Sequence, residues 1–261
     1  MRLYIATITS NNEIRAGVHL IEMHVPALAS AAQPGQYCMV RCCHPLANDP
    51  LLRRPFFVHS VQPALGLCTL LVHVQGRGTS WLAGLREGAT LDILGPLGHG
   101  WEVRPTVRNL LLVSESNMIS SITLLAQSAI EQELAVTLVA HFASAAEVYP
   151  PALLSPEVEY HIITADGSLG EQGEVQGVLG DYLAWADAAC CSVSRETAVV
   201  LYATFERMRG RNFAQALVLR PLVCASGVCL SCSFETLSGM KVICRDGPVF
   251  DLREIAHSAN T

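Results

Sequence analysis

The stretch Asn109–Ala135, NLLLVSESNMISSITLLAQSAIEQELA, decides the class of the central fold. It opens with an apolar run, NLLLV, that is typical of a buried strand, and it ends with apolar residues at helical spacing. Proteins of the α/β class usually bind phosphate at such a strand–turn–helix junction, and they usually use glycines there. The turn Ser114–Met118 has no glycine and contains a glutamate. The stretch therefore predicts an α/β domain with an unusual turn.

Further segments extend this domain over residues 103–218. The runs AVTLVAHF, EYHIITA and AACCSV read as strands, and helical stretches separate them. This alternation predicts a parallel α/β layer.

Residues 1–102 follow a different pattern of short alternating segments punctuated by Gly and Pro. The segments are RLYIATIT, GVHLIEMHV, GQYCMVRC, LCTLLVHVQG and ATLDILGP. Such regular spacing predicts a small antiparallel barrel.

Two stretches of this half, both interpreted as loops, carry groups suited to a nucleotide. LLRRPFFVHS presents Arg53 and Arg54 beside Pro55 and two aromatic residues, so a cation lies next to a flat apolar face. VQGRGTSWLAGL passes through two glycines into a helix that we expect Thr79 or Ser80 to cap, which is an arrangement that binds anions. Together the two stretches favour a flavin nucleotide.

The C-terminal segment VCASGVCLSCSFETLSGMKVICRDGPVF carries a cysteine pattern. Its C-x4-C-x2-C-x11-C spacing involves Cys224, Cys229, Cys232 and Cys244. Plant-type [2Fe–2S] ferredoxins use C-x4-C-x2-C and a distant fourth cysteine. The small residues Ala225, Ser226 and Gly227 permit a close approach of backbone N–H groups to the sulfurs.

Two other interpretations of these cysteines are a structural zinc site and unligated thiols. A structural zinc site normally pairs two C-x2-C knuckles, and only one such knuckle is present. A Rieske centre needs two histidines, and the segment has none. The pattern favours the [2Fe–2S] cluster.

The remaining cysteines lie in apolar segments, where we expect small core residues rather than ligands or a disulfide framework. They are Cys38, Cys42, Cys43, Cys68, Cys190 and Cys191.

The composition limits the class of partner and the compartment. The 261 residues are 51% hydrophobic and 15% charged, and the net charge of −6 comes without a Lys/Arg-rich run, so a nucleic-acid surface is not expected. No apolar run approaches the ~18 residues of a membrane span. The N-terminal residues read as a strand rather than as a signal peptide. We therefore expect a cytoplasmic protein.

Over almost its whole length the chain resembles the electron-transfer subunit of the two-subunit dihydroorotate dehydrogenase, in the ferredoxin–NADP reductase-like group. The motifs that carry the resemblance are QPGQYCMVR, DPLLRRPF, VQGRGTSWLAGLREG, LDILGPLGHGW, ADGSLGEQGEV and CASGVCLSC…CRDGPVF. The resemblance implies an FAD-binding barrel over 1–102, a nucleotide-binding-like α/β domain over 103–218 and a [2Fe–2S] module over 219–261. It also implies a heteromer with an FMN-containing catalytic subunit.

The same resemblance assigns residues to the flavin. Arg54 would meet the FAD pyrophosphate, Phe56 would face the flavin, and Gly76, Gly78 and Thr79 would hold phosphate and ribose. One position departs from the family: Phe57 stands where the family has a small hydroxyl residue near the flavin N5. Ser60 lies too far along to be assumed a substitute.

The resemblance also implies a nicotinamide dinucleotide on the α/β domain, but two motifs have changed. The family's Gly-Gly-Gly-x-Gly-type turn is replaced by Ser114–Met118, and its Cys-Gly-Pro is replaced by Cys191–Val193. Side chains there intrude on a pyrophosphate, and Glu115 adds like-charge repulsion of about 3–4 kcal/mol before solvent screening. We therefore expect no NAD binding, unless another loop, such as 165–175 with its three glycines, has taken over.

Three functions follow from these features. The first is an electron-transfer flavoprotein subunit of the dihydroorotate enzyme that exchanges electrons with another carrier, such as a ferredoxin or a further subunit. The second is a non-enzymatic scaffold that keeps the cluster and has lost FAD, an alternative that Phe57 keeps open. The third, an independent NAD(P)H-dependent reductase, needs the nicotinamide turn and ranks last. A flavin spectrum separates the first two.

Overall fold

The structure, a computed structural model, describes residues 1–256. Within that range, six antiparallel strands close into a barrel in the order β1-β2-β5-β4-β3-β6. The strands are β1 (Arg2–Arg15), β2 (Val18–His24), β3 (Tyr37–Val40), β4 (Arg54–Gln62), β5 (Leu67–His73) and β6 (Thr90–Leu97). Strand β6 buries every second residue, as the period of a strand with one face on the core requires. The predicted antiparallel barrel is confirmed.

The interpretation of LLRRPFFVHS as a loop holds for residues 51–53 and was wrong from Arg54 onward. Residues Arg54–Gln62 form β4, which pairs with β3 on one side and β5 on the other. Two arginines and a proline favour a loop locally, but a strand with partners on both sides gains ladder bonds that outweigh this preference. Pro55 lies at the second position of β4, near its start, where its missing N–H is tolerated.

The second half forms a seven-stranded sheet in the order β10-β9-β8-β7-β11-β12-β15. Its strands are β7 (Asn109–Glu115), β8 (Ala135–Phe142), β9 (Glu159–Thr164), β10 (Glu171–Gln172), β11 (Ala188–Ser192), β12 (Ala214–Leu217) and β15 (Val249–Asp251). All neighbours pair in parallel except β12 and β15, which are antiparallel. The predicted parallel α/β layer is confirmed.

Helices cover both faces of this sheet. The α-helices within the described residues are α1 (Pro26–Ala29), α2 (Arg77–Ala83), α3 (Thr123–Glu131), α4 (Val175–Trp185), α5 (Arg195–Thr204), α6 (Ile243–Asp246) and α7 (Leu252–Ala256). Alternate residues of β7 pack on opposite sides: Leu110 with α3, and Leu111 with α4 and α5. Because both faces are buried, β7 reads as a continuous apolar run. No helix within residues 1–256 is long and apolar enough to cross a membrane.

The C-terminal segment contributes a hairpin and then rejoins the second sheet. The hairpin consists of β13 (Ser233–Thr236) and β14 (Gly239–Val242), while β15 pairs with β12. The boundaries predicted at 102/103 and 218/219 stay predictions, and residues 257–261 of the predicted module lie outside the described range. The six cysteines predicted to be core residues are all buried.

A buried polar junction joins the barrel to the second domain. The His59 Nδ1 atom lies 3.1 Å from the Thr69 hydroxyl, and Nε2 lies 2.8 Å from the Tyr149 hydroxyl. The Thr123 hydroxyl at the start of α3 donates to the His59 carbonyl at 2.7 Å. Burial lowers the pKa of the His59 imidazole to about 4. The junction is therefore built for a neutral histidine.

Lowering the pH from about 7 to about 5 should reduce the free energy of unfolding by about 2 kcal/mol through His59 alone. The folded pKa of about 4 lies below the unfolded value of about 6.5, so the unfolded chain binds more protons in this window. The free energy of unfolding therefore decreases as the pH is lowered. Urea denaturation at the two pH values measures the loss. The variant His59→Gln does not titrate and should lose correspondingly less; an equal loss in both proteins would contradict the assignment.

Candidate functional site

A cavity of about 520 Å³ lies where the barrel, the second domain and the C-terminal segment meet. The barrel contributes Arg54, Phe56 and Phe57, the turn after β7 contributes Met118, and the C-terminal segment contributes Leu222 and Ile243. A cavity of this size, mostly apolar with a few polar groups, is suited to an organic cofactor.

A second cavity of about 260 Å³ lies beside the first and contains the glycine turn. Its walls include Gly76, Arg77 and Gly78. Arg54 and Thr79 line both cavities, so the two spaces adjoin. The structure thus places all five residues assigned to the flavin around one continuous region. Their individual contacts with a flavin stay predictions.

The glycine turn differs in detail from the expected cap. Gly76, not Thr79 or Ser80, is the N-cap of α2, so that expectation was wrong. The Thr79 hydroxyl reaches back and accepts the N–H groups of Gln75 at 2.8 Å and Gly76 at 3.1 Å. A Cβ built on Gly76 would meet nothing within 4 Å, whereas one on Gly78 would lie 3.0 Å from the Cys42 Cβ. Gly78 therefore permits close packing, and Gly76 leaves cavity space.

The two arginines of the LLRRPF motif have different surroundings. Arg53 donates to both carboxylate oxygens of Asp92 at 2.8 Å, which commits it to the barrel wall. Arg54 donates to the Leu52 carbonyl at 2.6 Å and lines both cavities. Of the two arginines, Arg54 is the one that lines the cavities, and its contact with a phosphate stays a prediction.

The wall around Phe57 contains polar atoms that fit a hydrogen-bonding ligand. The Phe57 ring packs edge-on against Tyr37, with centroids 6.4 Å apart. The Tyr37 hydroxyl and His73 Nε2 are buried without a hydrogen-bond partner, and both residues line the larger cavity. Ser60 pairs with the Thr69 hydroxyl at 2.6 Å and does not replace the missing hydroxyl near Phe57. Because orphaned buried polar atoms are costly, the residues present fit a polar ring system such as a flavin.

The hairpin β13–β14 brings two of the four predicted cluster ligands together. Cys232 directly precedes β13 and Cys244 follows β14 on α6. The strands pair Ser233 with Val242, and the Ile243 N–H donates to the Cys232 carbonyl at 3.2 Å. Antiparallel pairing therefore fixes the separation of two residues that are far apart in sequence.

The loop before the hairpin directs N–H groups at the sulfurs. Gly227 N–H donates to Cys244 Sγ at 3.1 Å, and Cys229 N–H donates to Cys224 Sγ at 3.5 Å. The Ser226 side chain, with the N–H groups of Cys229 and Ser226, lowers the pKa of Cys224 to about 5. Burial raises the pKa of Cys244 to about 12, and a bound metal would remove this penalty on its thiolate.

Burial of the cysteines is uneven. Cys232 and Cys244 are buried, Cys224 is half-buried and Cys229 is exposed. Within residues 1–256, no three His, Cys, Asp or Glu side chains surround a point suited to a single ion. A [2Fe–2S] cluster spreads its four thiolates over two irons, and the donor set of four cysteines with N–H groups at their sulfurs fits such a cluster.

The turn after β7 keeps the backbone shape of a glycine turn without the glycine. Ser116 has φ of +45°, a conformation that residues with a side chain rarely adopt.

In the alternative loop at 165–175, a Cβ on Gly170 would lie 2.1 Å from the Ile162 carbonyl oxygen, so that glycine is required by packing. The loop geometry gives no separate indication of a ligand.

Sequence reasoning missed Tyr37 and His73. Both lie within stretches recognised as strands, QPGQYCMVR and LLVHVQG, where a polar aromatic residue is also common in ordinary cores. Their signal is a buried hydrogen-bonding atom without a partner, and that is visible only in three dimensions.

The fold is that of the ferredoxin reductases. The solved structure of an NADH-dependent reduced ferredoxin–NADP oxidoreductase superposes with a TM-score of 0.83 at 23% identity, and covers 96% of this chain and 89% of that one. The ferredoxin reductase of carbazole 1,9a-dioxygenase gives a TM-score of 0.61 at 17% identity, over 72% of this chain and 61% of that one. These likenesses establish the fold.

Residues 220–256 match the family described as the iron–sulfur cluster binding domain of dihydroorotate dehydrogenase B. The dihydroorotate dehydrogenase B (NAD(+)) electron transfer subunit of Geobacillus thermodenitrificans is 30% identical over 95% of this chain and 96% of its own length. The corresponding subunit of Shouchella clausii is 31% identical over the same shares. The chain belongs to the family of dihydroorotate dehydrogenase B electron transfer subunits.

Proposed function

We propose that this chain transfers electrons between FAD and a [2Fe–2S] cluster, to or from an FMN-containing dihydroorotate dehydrogenase catalytic subunit in pyrimidine biosynthesis. The observation that carries the proposal is a shared wall. Tyr37 and Ile243 line the cavity fitted to a flavin, and both pack in the same apolar cluster as Cys232 and Cys244. A flavin and an iron–sulfur cluster held on either side of this wall would be adjacent.

The flavin side of the site consists of groups from strand β4 and from the start of α2. Arg54 and the turn Gly76–Thr79 would hold the pyrophosphate and ribose, and Phe56 and Phe57 would flank the ring system. Bound FAD would accept or donate electrons in pairs or singly and the cluster would carry them one at a time, so the two groups together would link two-electron to one-electron transfer. No side chain is required as a general acid or base.

The cluster side of the site opens to the surface at one ligand. Cys229 is exposed, and its neighbours Val228 and Leu230 are 80% and 57% exposed. An apolar rim around an exposed ligand is suited to a protein partner rather than to water. The catalytic subunit would dock on this rim, which places the cluster between the flavin of this chain and the FMN of its partner.

We propose that separate parts of the chain hold the flavin and the cluster. We assign 1–102 to FAD binding, 103–218 to the nucleotide-binding-like domain and 219–261 to the cluster module. We also propose that the chain acts in the cytoplasm as part of a heteromer.

The absorbance spectrum of the purified chain under anaerobic conditions tests the proposal. We expect overlapping flavin and [2Fe–2S] bands that dithionite bleaches, with about one flavin and two irons per chain. Cys229→Ser should remove the cluster bands and keep the flavin bands, because Cys229 does not line the flavin cavity. Cluster bands without flavin in the unaltered chain would instead indicate the scaffold function.

Gly76→Val should lower flavin occupancy several-fold without lowering the thermal midpoint of the flavin-free protein. The Gly76 backbone is extended, and a Cβ there meets nothing within 4 Å, so valine fits the fold and fills the smaller cavity. Flavin released on denaturation, per mole of protein, measures the effect.

Gly180→Val is the matched control, since Gly180 also faces open space but lies on α4, away from both cavities. Equal flavin content in the two variants would show that the Gly76 turn does not hold the cofactor.

A further inference from the structure

The second sheet has a topological switch point between β7 and β11. From β7 the chain proceeds through β8 and β9 on one side, and β11 and β12 then extend the sheet on the other. In open α/β sheets, ligands bind outside the carboxyl ends of the strands at such a point, and the N-terminus of the following helix receives their phosphates. Here β7 ends at Glu115, β11 ends at Ser192, and α5 follows β11.

The Glu115 carboxylate occupies the start of α5. One carboxylate oxygen accepts the backbone N–H of Ser194 at 2.7 Å, and the other accepts the Thr197 hydroxyl at 2.5 Å. Ser194 is the N-cap of α5, and its own hydroxyl accepts the Thr197 N–H at 3.1 Å. The donors and the positive helix end that would meet a phosphate are thus already paired with a carboxylate of the same chain.

The turn that carries Glu115 is tied to the neighbouring strand by further hydrogen bonds. The Ser121 and Ser192 hydroxyls are 2.6 Å apart, and Ser192 donates to the Met118 carbonyl at 2.9 Å. The Trp101 indole N–H donates to the Ser121 carbonyl at 2.9 Å. The turn is held in place from the barrel side as well as from β11, so it does not need a ligand to order it.

We propose that Glu115 is an internal anion that closes this crevice to the pyrophosphate of a nicotinamide dinucleotide. Electrons would then reach or leave the flavin by a carrier other than NADH. The inference that another carrier exchanges the electrons rests on the proposed electron-transfer function. The inference that the crevice is closed to a dinucleotide rests on the contacts of Glu115 alone. The inference separates this chain from relatives whose names include NAD(+).

Both the charge and the bulk of the Glu115 side chain oppose the binding of a dinucleotide. A phosphate at this position would lose the N–H that Glu115 holds and would lie next to a carboxylate, which costs on the order of a hundredfold in affinity. The adjoining cavity of about 290 Å³, lined by Met118, Val193 and Ser194, still offers space beside the crevice. Removal of the carboxylate should therefore open a site rather than merely damage the fold.

The test is an anaerobic titration of the purified, cofactor-loaded chain with NADH, followed by absorbance, and with NAD⁺, followed by calorimetry. In the unaltered chain, about 1 mM NADH, the upper end of usual KM values, should leave the flavin and cluster bands unchanged. Dithionite should bleach them. Glu115→Gly should bind NAD⁺ at least about tenfold more tightly than the unaltered chain, since it removes both charge and bulk.

Two further variants control the comparison. Glu115→Gln keeps the bulk and an acceptor oxygen and loses the charge, so its gain in NAD⁺ affinity should be smaller than that of Glu115→Gly. If the glycine variant does not fold, the glutamine variant is used for the test. Glu131→Gln removes the same charge from the exposed last residue of α3, which lines none of these cavities, and should leave affinity unchanged.

NADH bleaching of the unaltered chain, or binding that is as tight in the unaltered chain as in the Glu115 variants, would overturn the proposal. Missing flavin bands in every protein would instead count against the proposed function. The calorimetric comparison of the variants would still decide whether Glu115 closes the crevice.

Discussion

The contact that the site depends on is the packing of one buried tyrosine between two structural units. Tyr37 is 1% exposed, meets Phe57 edge-on at the cavity and shares an apolar cluster with Cys232 and Cys244. Gly98 makes this possible, because a Cβ there would lie 3.0 Å from the Tyr37 ring and because its φ is +81°. Without this packing, the cavity and the cysteine loop would be separate features rather than one electron-transfer site.

The hydrogen bonding of the flavin cavity and the cysteine loop differs from that at the start of α5. At the cavity, the Tyr37 hydroxyl and His73 Nε2 are buried and unpartnered, and in the cysteine loop backbone N–H groups point at sulfur. At the switch point, by contrast, Glu115 satisfies the helix start from within. The Ser114 hydroxyl and His141 Nε2, near the carboxyl ends of β7 and β8, are also buried without a partner, so the case against a dinucleotide rests on the contacts of Glu115.

Most of the fold was predictable because its signals are local. The alternation of burial in β6 and the continuous apolar run of β7 follow directly from which faces each sheet buries. The error at β4 has a physical reason: Arg53, Arg54 and Pro55 favour a loop by composition, while β3 and β5 supply the ladder bonds that make a strand. The cap of α2 was misplaced because Thr79 accepts N–H groups one turn inside the helix.

The sequence by itself determined the antiparallel barrel, the parallel α/β layer, the four spaced cysteines and the stretches that surround the flavin cavity. Each of these follows from residues that are close together in the chain. The tertiary structure decided what those residues meet. Glu115 and Ser194 are 79 residues apart, and only the order of β7 and β11 in the sheet brings them into contact. Tyr37 likewise meets the cysteines only after the barrel closes and the C-terminal segment packs against it. Such contacts depend on strand order and side-chain direction, which no local pattern contains.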